Sequence, residues 1–208
     1  MWAGTEVSTS ERNLQMRRAA VVFLLSGGID SMVAADLIRA EKRLRLLPLF
    51  VDYGQPALSQ EVKAAKSFCR LRRLPLSVMR LGEYSRLARS NTRKAAAFLP
   101  GRNLVLLTIA GLVASAQKAR FVGIGAIGDQ AYPDTTDSFF KAFNAIAPMA
   151  LGHEVSVMSP LVHSSKAAVV EIGKRLGTPL HVSYSCYAGW PRPCGKCLAC
   201  KLRARVLP

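Results

Sequence analysis

Two serines, two glycines and an aspartate stand within six residues, Ser26-Gly27-Gly28-Ile29-Asp30-Ser31, directly behind an apolar run. Adjacent glycines give up packing and backbone order, so this point of the chain needs bare backbone. A glycine turn between a strand and a helix gathers several unpaired N–H groups in one small space, and the helix dipole adds partial positive charge there. Ser26 and Ser31 add hydroxyl donors. The chemistry is anion binding. The turn has neither the Gly-Lys-Ser/Thr ending of a Walker A loop nor a G-x-G-x-x-G pattern, which argues against γ-phosphate transfer. Two cations are candidates to act with it. Arg102 can clamp a phosphate or carboxylate through two parallel hydrogen bonds. Lys166 follows Ser164-Ser165 at a helix start, where a cation opposes the dipole, and a phosphate-binding role accounts for it.

A second constellation lies near the C-terminal end. Cys186-x7-Cys194-x2-Cys197-x2-Cys200 supplies four soft ligands, enough for a closed tetrahedral zinc site. Pro191, Pro193 and Gly195 allow a tight knuckle around it. The C-x2-C-x2-C spacing also occurs in iron–sulfur proteins, so spacing alone leaves both metals open. Cys69 falls within a helical pattern and reads as a small buried hydrophobe. His153, His163 and His181 are scattered and read as surface or packing residues.

The elements that must position these groups alternate in type. Residues 19–25, 44–51, 76–79, 121–125 and 155–158 read as strands. Residues 30–41, 60–73, about 100–118, 137–149 and 164–176 read as helices, with an irregular stretch over 81–99. Alternating strands and helices imply an α/β fold with a parallel sheet covered on both faces. Ligands in such sheets bind at the carboxyl ends of the strands, where Ser26-Gly27-Gly28, Asp52-Tyr53-Gly54 and the stretch 125–134 all fall. The 208 residues, half of them hydrophobic, suit one globular domain with a small appendage. The expected division is a lead over 1–17, the α/β domain over 18–180 and a cysteine-rich segment over 181–208. The net charge of +16 favours anionic partners, although no aromatic-interleaved basic stretch argues for single-stranded nucleic acid. With no apolar run of about 18–20 residues and no secretory pattern at the start, the expectation is a cytoplasmic protein without a membrane partner.

The motif Ser-Gly-Gly-Ile-Asp-Ser resembles the pyrophosphate loop of the PP-loop ATP-pyrophosphatase superfamily. Asp52-Tyr53-Gly54-Gln55, the run 98–103 (Phe-Leu-Pro-Gly-Arg-Asn), Tyr132-Pro133-Asp134, Ser159-Pro160-Leu161 and the cysteine cluster follow in an order that resembles the 7-cyano-7-deazaguanine synthase (QueC) family over nearly the whole chain. The resemblance implies a Rossmann-like PP-loop fold ending in a structural zinc knuckle on Cys186, Cys194, Cys197 and Cys200. It implies that ATP, with Mg²⁺, activates 7-carboxy-7-deazaguanine as an adenylate, which ammonia converts to an amide and then a nitrile. ATP is expected against Leu24, Leu25, Ser26, Gly27, Gly28, Ile29, Asp30, Ser31, Asp52, Tyr53, Gly54 and Gln55. The second substrate is expected against Tyr53, Arg102, Asn103, Asp129, Tyr132 and Asp134, with Ser26, Asp30, Ser31, Arg102 and Lys166 catalytic. A homodimer is also expected. The chain departs from the family at Thr135-Thr136, where Cys-Arg is usual, so the pocket is expected to lose a cation and a thiol while keeping two hydroxyls. That change leaves room for a relative that passes the acyl group to another amine, such as one on a protein. A non-catalytic nucleotide- or RNA-binding module is a third reading, and the intact Ser26–Ser31 loop speaks against it.

Overall fold

The computed structural model describes residues 19–42, 44–82, 84, 99–128 and 132–207. The expected lead over 1–17 and most of the irregular stretch over 81–99 lie outside these residues. Central strand β1 (Ala20–Leu24) reads Ala-Val-Val-Phe-Leu and is buried at every position, as a strand covered on both faces must be. Successive side chains of a strand point to opposite faces, and here they feed two cores. Val21 and Phe23 pack with Met32 and Val33 of α1 (Ile29–Lys42), Phe68 of α2 (Leu58–Arg72) and Val169 of α5 (Lys166–Arg175). Ala20, Val22 and Leu24 pack with Leu107 and Ala110 of α3 (Arg102–Ala116) and Phe140 and Phe143 of α4 (Asp137–Leu151).

The sheet has five strands in the order β3-β2-β1-β4-β5, all parallel. β2 is Arg45–Asp52, β3 Ser77–Arg80, β4 Phe121–Gly123 and β5 Ser156–Met158. From β1 the chain first builds outward through β2 and β3, then returns to the other side of β1 for β4 and β5. The order reverses between β1 and β4, and the crevice at such a switch point is where α/β sheets bind ligands. The Ser26–Ser31 turn leaves β1 at that crevice. Every strand and helix expected from the sequence within the described residues is present, with ends shifted by a few residues. A short 3₁₀ turn, Pro133–Thr135, precedes α4.

The cysteine-rich segment adds a helix that cysteine spacing could not reveal, α6 (Leu198–Val206). Its Val206, with Leu207, Val182 and Tyr184, packs against the first core. Arg203 of α6 donates to Ser183 Oγ at 2.7 Å and to Leu180 O at 3.3 Å. No described helix is long and apolar enough to cross a membrane.

One ion pair ties the helices of the first face. Asp36 of α1 is buried and accepts from Arg72 of α2 at 2.9, 3.1 and 2.6 Å, while the same guanidinium donates to Gly177 O at 2.7 Å. Removing one partner of a buried pair leaves an uncompensated charge, at a cost of about 3–5 kcal/mol. Arg39 Nε stays 3.7 Å from Asp36 Oδ1 and offsets only part of that charge, so Arg72→Met should lower the unfolding free energy by about 3 kcal/mol in urea titrations. A loss below about 1 kcal/mol would show that Asp36 is solvated without its partner.

Candidate active site and metal centre

Gly27 explains the double glycine. Its φ is +82°, in the region glycine favours, and a Cβ at this position would lie 2.4 Å from Glu61 O and 3.1 Å from Ala65 N. The turn is therefore pressed onto the first turns of α2, and any side chain there would push it away. Gly125, just past β4, is the matching approach from the other side, since a Cβ there would lie 2.7 Å from Ser31 Cα. Together they seat the start of α1 in the crevice. Within the turn, Ser26 Oγ donates to Ser31 Oγ at 3.1 Å, and Ser31 Oγ donates to Gly28 O at 3.0 Å. The expected conflict at Lys166 is resolved by geometry. Its ammonium donates to Asp30 Oδ1 at 2.6 Å, so the first residue of α5 and the first turn of α1 form one charge-paired corner.

A cleft of about 260 Å³ opens beside this corner. Among its lining residues are Leu24, Leu25, Ser26, Gly28, Asp30, Ser31, Tyr53, Gln55, Arg102, Asn103 and Tyr132, all expected from sequence. Arg102 is brought in from the first turn of α3. Burial disfavours its cation, but the neighbouring Tyr53, Asp134 and Glu61 outweigh that, and its pKa is raised. Burial likewise holds the Tyr53 hydroxyl above its usual pKa, although Arg102 opposes the shift.

Other expected residues do structural work. Ile29 is a core residue, 1% exposed. Asp52 closes its own turn by accepting from Gly54 N at 3.0 Å, and neither residue lines the cleft. Gly27 is covered on its far side, where Tyr184 N donates to Gly27 O at 2.9 Å. Asp134 is buried and points at the start of α3, with Oδ2 accepting from Asn103 N at 3.0 Å and Oδ1 from Asn103 Nδ2 at 3.3 Å. The reason is local. The N-cap residue of α3 is Gly101, which has no side chain to satisfy the first N–H groups, and Asp134 does so from a distance. The two hydroxyls expected in the pocket are also committed. Thr135 lines the cleft, but its Oγ1 accepts from Tyr132 N at 3.1 Å and donates to Tyr132 O at 2.9 Å. Thr136 caps α4 by accepting from Phe139 N at 3.2 Å. Asp129 lies outside the described residues. Glu61 lines the cleft and was missed. In sequence it is an ordinary acidic residue in the first turn of a helix, with no motif to mark it.

The four cysteines converge. Cys186, Cys194, Cys197 and Cys200 are free thiols whose sulfurs all lie within 4.8 Å of one another, with Cys194 Sγ and Cys200 Sγ 3.9 Å apart. Tetrahedral thiolate ligands at about 2.3 Å from zinc would stand about 3.8 Å apart, so the set fits a closed metal site. Backbone N–H groups of Cys194 and Cys197 donate to the sulfurs of Cys186 and Cys194 at 3.3 and 3.4 Å, as thiolates require. The segment from Tyr184 to Trp190 connects this centre to the glycine turn. Tyr184 N holds Gly27 O, and Tyr184 Oη donates to Trp190 O at 2.7 Å. Gly189, at φ +71°, carries this strap so close to the residues leading into α2 that a Cβ would lie 2.1 Å from Pro56 O.

The family model described as queuosine biosynthesis protein QueC matches residues 20–208. The chain is 34% identical to the 7-cyano-7-deazaguanine synthase of Anaeromyxobacter dehalogenans, covering 92% of this chain and 91% of that protein. It is 33% identical to that of Rhizorhabdus wittichii, covering 93% and 92%. Among solved structures it resembles the U34-tRNA thiolase NcsA from Methanococcus maripaludis with its 4Fe-4S cluster. That match has a TM-score of 0.57 at 18% identity and covers 98% of this chain and 73% of the other. At that identity the likeness establishes a shared fold.

Gly189→Ala tests the seating of the strap. A non-glycine residue in the left-handed region costs about 1–2 kcal/mol, and overpacking against Pro56 adds about 1–3 kcal/mol. Denaturant unfolding should show a loss of about 2 kcal/mol or more, and an unchanged midpoint would mean the strap does not rest on the residues leading into α2.

Proposed function

The chain belongs to the QueC family, and on that premise we propose that it adenylates the carboxylate of 7-carboxy-7-deazaguanine and converts it, with ammonia, to the nitrile. The observation that carries this reading is the Ser26–Ser31 turn at the β1/β4 crevice, with Lys166 paired to Asp30 and Arg102 lining the same cleft. In the first step a carboxylate oxygen attacks the α-phosphorus of ATP. The bond from that phosphorus to the bridging oxygen breaks, and its electrons leave with pyrophosphate. The departing charge is met by the N–H groups of the turn and by Lys166, donors already in place before the reaction. Ammonia then attacks the acyl carbon and expels AMP, leaving the amide and a released proton. The amide oxygen attacks the α-phosphorus of a second ATP, again with release of pyrophosphate. Loss of AMP and two protons leaves the carbon–nitrogen triple bond.

Arg102, which lines the cleft with Tyr53 and Glu61, is suited to neutralise the substrate carboxylate as it approaches ATP, because guanidinium binds carboxylate in a planar fork. Asp30 holds Lys166 in position and is placed to join the Mg²⁺ that accompanies ATP, which would shield the phosphates from the attacking carboxylate. Zinc is the metal we assign to the four cysteines. It would cross-link the strap to α6 and so support the turn, and it takes no part in the chemistry.

With ATP, Mg²⁺, the acid and ammonia, products followed by mass should include AMP, pyrophosphate and the nitrile. ADP and phosphate as products would rule out adenylation. Lys166→Ala should reduce kcat by about 100-fold or more while moving the melting temperature little. Purified protein should carry one zinc per chain and be colourless. Cys197→Ser should lose the metal and lower the melting temperature, since metal binding here contributes folding energy. Stoichiometric iron with brown colour would contradict the zinc assignment.

A further inference from the structure

Among the described residues, two carboxyl groups line the cleft, Asp30 and Glu61. Asp30 is paired with Lys166. Glu61 is only half satisfied. Its Oε2 accepts from Gln55 Nε2 at 3.0 Å, and among the described residues its Oε1 accepts no hydrogen bond. The described buried side-chain atoms without a partner are Ser159 Oγ and Thr178 Oγ1, so Glu61 Oε1 is not sealed in protein and opens on the cleft. Gln55 is fixed and cannot turn to follow it. Its Oε1 accepts from Tyr53 N at 3.0 Å, and its Nε2 also donates to Val51 O at 3.3 Å. Glu61 is likewise fixed at its backbone, where the close approach of Gly27 allows no movement of the helix.

Burial pushes the Glu61 carboxyl above its usual pKa, with Gln55 and Arg102 opposing. A ligand that enters the cleft displaces water from that open oxygen and must replace its hydrogen bonds. The completing ligand must offer N–H donors, because an ionised carboxylate is acceptor-only and can take two donors side by side. The adenine amino edge sets one donor beside an acceptor nitrogen, which would face a carboxylate lone pair. The 2-aminopyrimidinone edge of a 7-deazaguanine sets a ring N–H beside an amino N–H, which matches both oxygens. Asp134, a carboxyl expected against the second substrate, spends both oxygens on Asn103. We infer that Glu61 is the specificity-determining residue of the acid site, accepting the ring N–H and 2-amino group of the deazaguanine. This inference rests on the proposed function. It assigns the base to the β2 side of the cleft, between Glu61 and Arg102, with its carboxylate directed at the glycine turn.

The test compares two acids in ATP–pyrophosphate exchange, 7-carboxy-7-deazaguanine and its analogue lacking the 2-amino group. A charged hydrogen bond contributes about 1.5–3 kcal/mol, or about 10- to 150-fold. Wild-type protein should favour the amino acid substrate in kcat/KM by about that factor, meaning the acid that bears the 2-amino group. Glu61→Gln should raise KM for that acid by a similar factor, change KM for the analogue by less than about 3-fold, and leave KM for ATP unchanged. Glu61→Asp keeps the charge and should recover part of the preference, which also covers the case in which the amide variant folds poorly. An equal loss for both acids would make Glu61 a structural residue, and a raised KM for ATP would make it a reader of adenine. Either result overturns the inference. Absence of exchange with both acids in the wild type would instead overturn the proposed function, and this inference with it.

Discussion

The site depends on a contact that only a residue without a side chain can make. Gly27 brings the turn after β1 so close to α2 that Glu61 O occupies the space a Cβ would need. Gly125 does the same against the start of α1. Between these two approaches the first turn of α1 is held at the crevice where the strand order reverses. The unpaired N–H groups of a helix start are thereby presented from a fixed backbone. Preorganised donors of this kind stabilise developing charge without rearranging during reaction, which is why the glycines precede any side chain in explaining the site.

The charges follow from that seating. Lys166 begins a helix, where a cation is unfavourable, yet Asp30 of α1 meets it at 2.6 Å. Arg102 begins another helix, and the neighbouring Tyr53, Asp134 and Glu61 favour its charged form. Each cation sits at a helix start, and acidic or phenol groups from elsewhere in the chain offset its charge. The cysteine centre extends the same logic to the C-terminal segment. Tyr184 and Gly189 tie that segment to the turn and to the residues leading into α2, so a metal held by the four cysteines would support the backbone that lines the cleft.

Much of this was legible in the sequence, because strong local rules carry it. A continuous apolar run ending in Gly-Gly marks β1 and its turn, and cysteine spacing marks the metal centre. Three features were not legible. Asp134 follows the expected motif but serves the N-terminus of α3, because Gly101 provides no cap. Thr135 and Thr136 supply hydroxyls that turn back to their own backbone. Glu61 has no signature, because its place in the cleft comes from the packing of Gly27 on α2 across more than thirty residues of chain. In each case the residue type is visible, while its partner is set by tertiary contact.

The central claim is that the acid's own oxygen attacks the α-phosphorus of ATP held at the glycine turn. The most direct measurement supplies 7-carboxy-7-deazaguanine with both carboxyl oxygens labelled with ¹⁸O, in unlabelled water, and follows the label by mass spectrometry. The account predicts one ¹⁸O in each AMP released and none in pyrophosphate. Unlabelled AMP, or label recovered in inorganic phosphate, would contradict it.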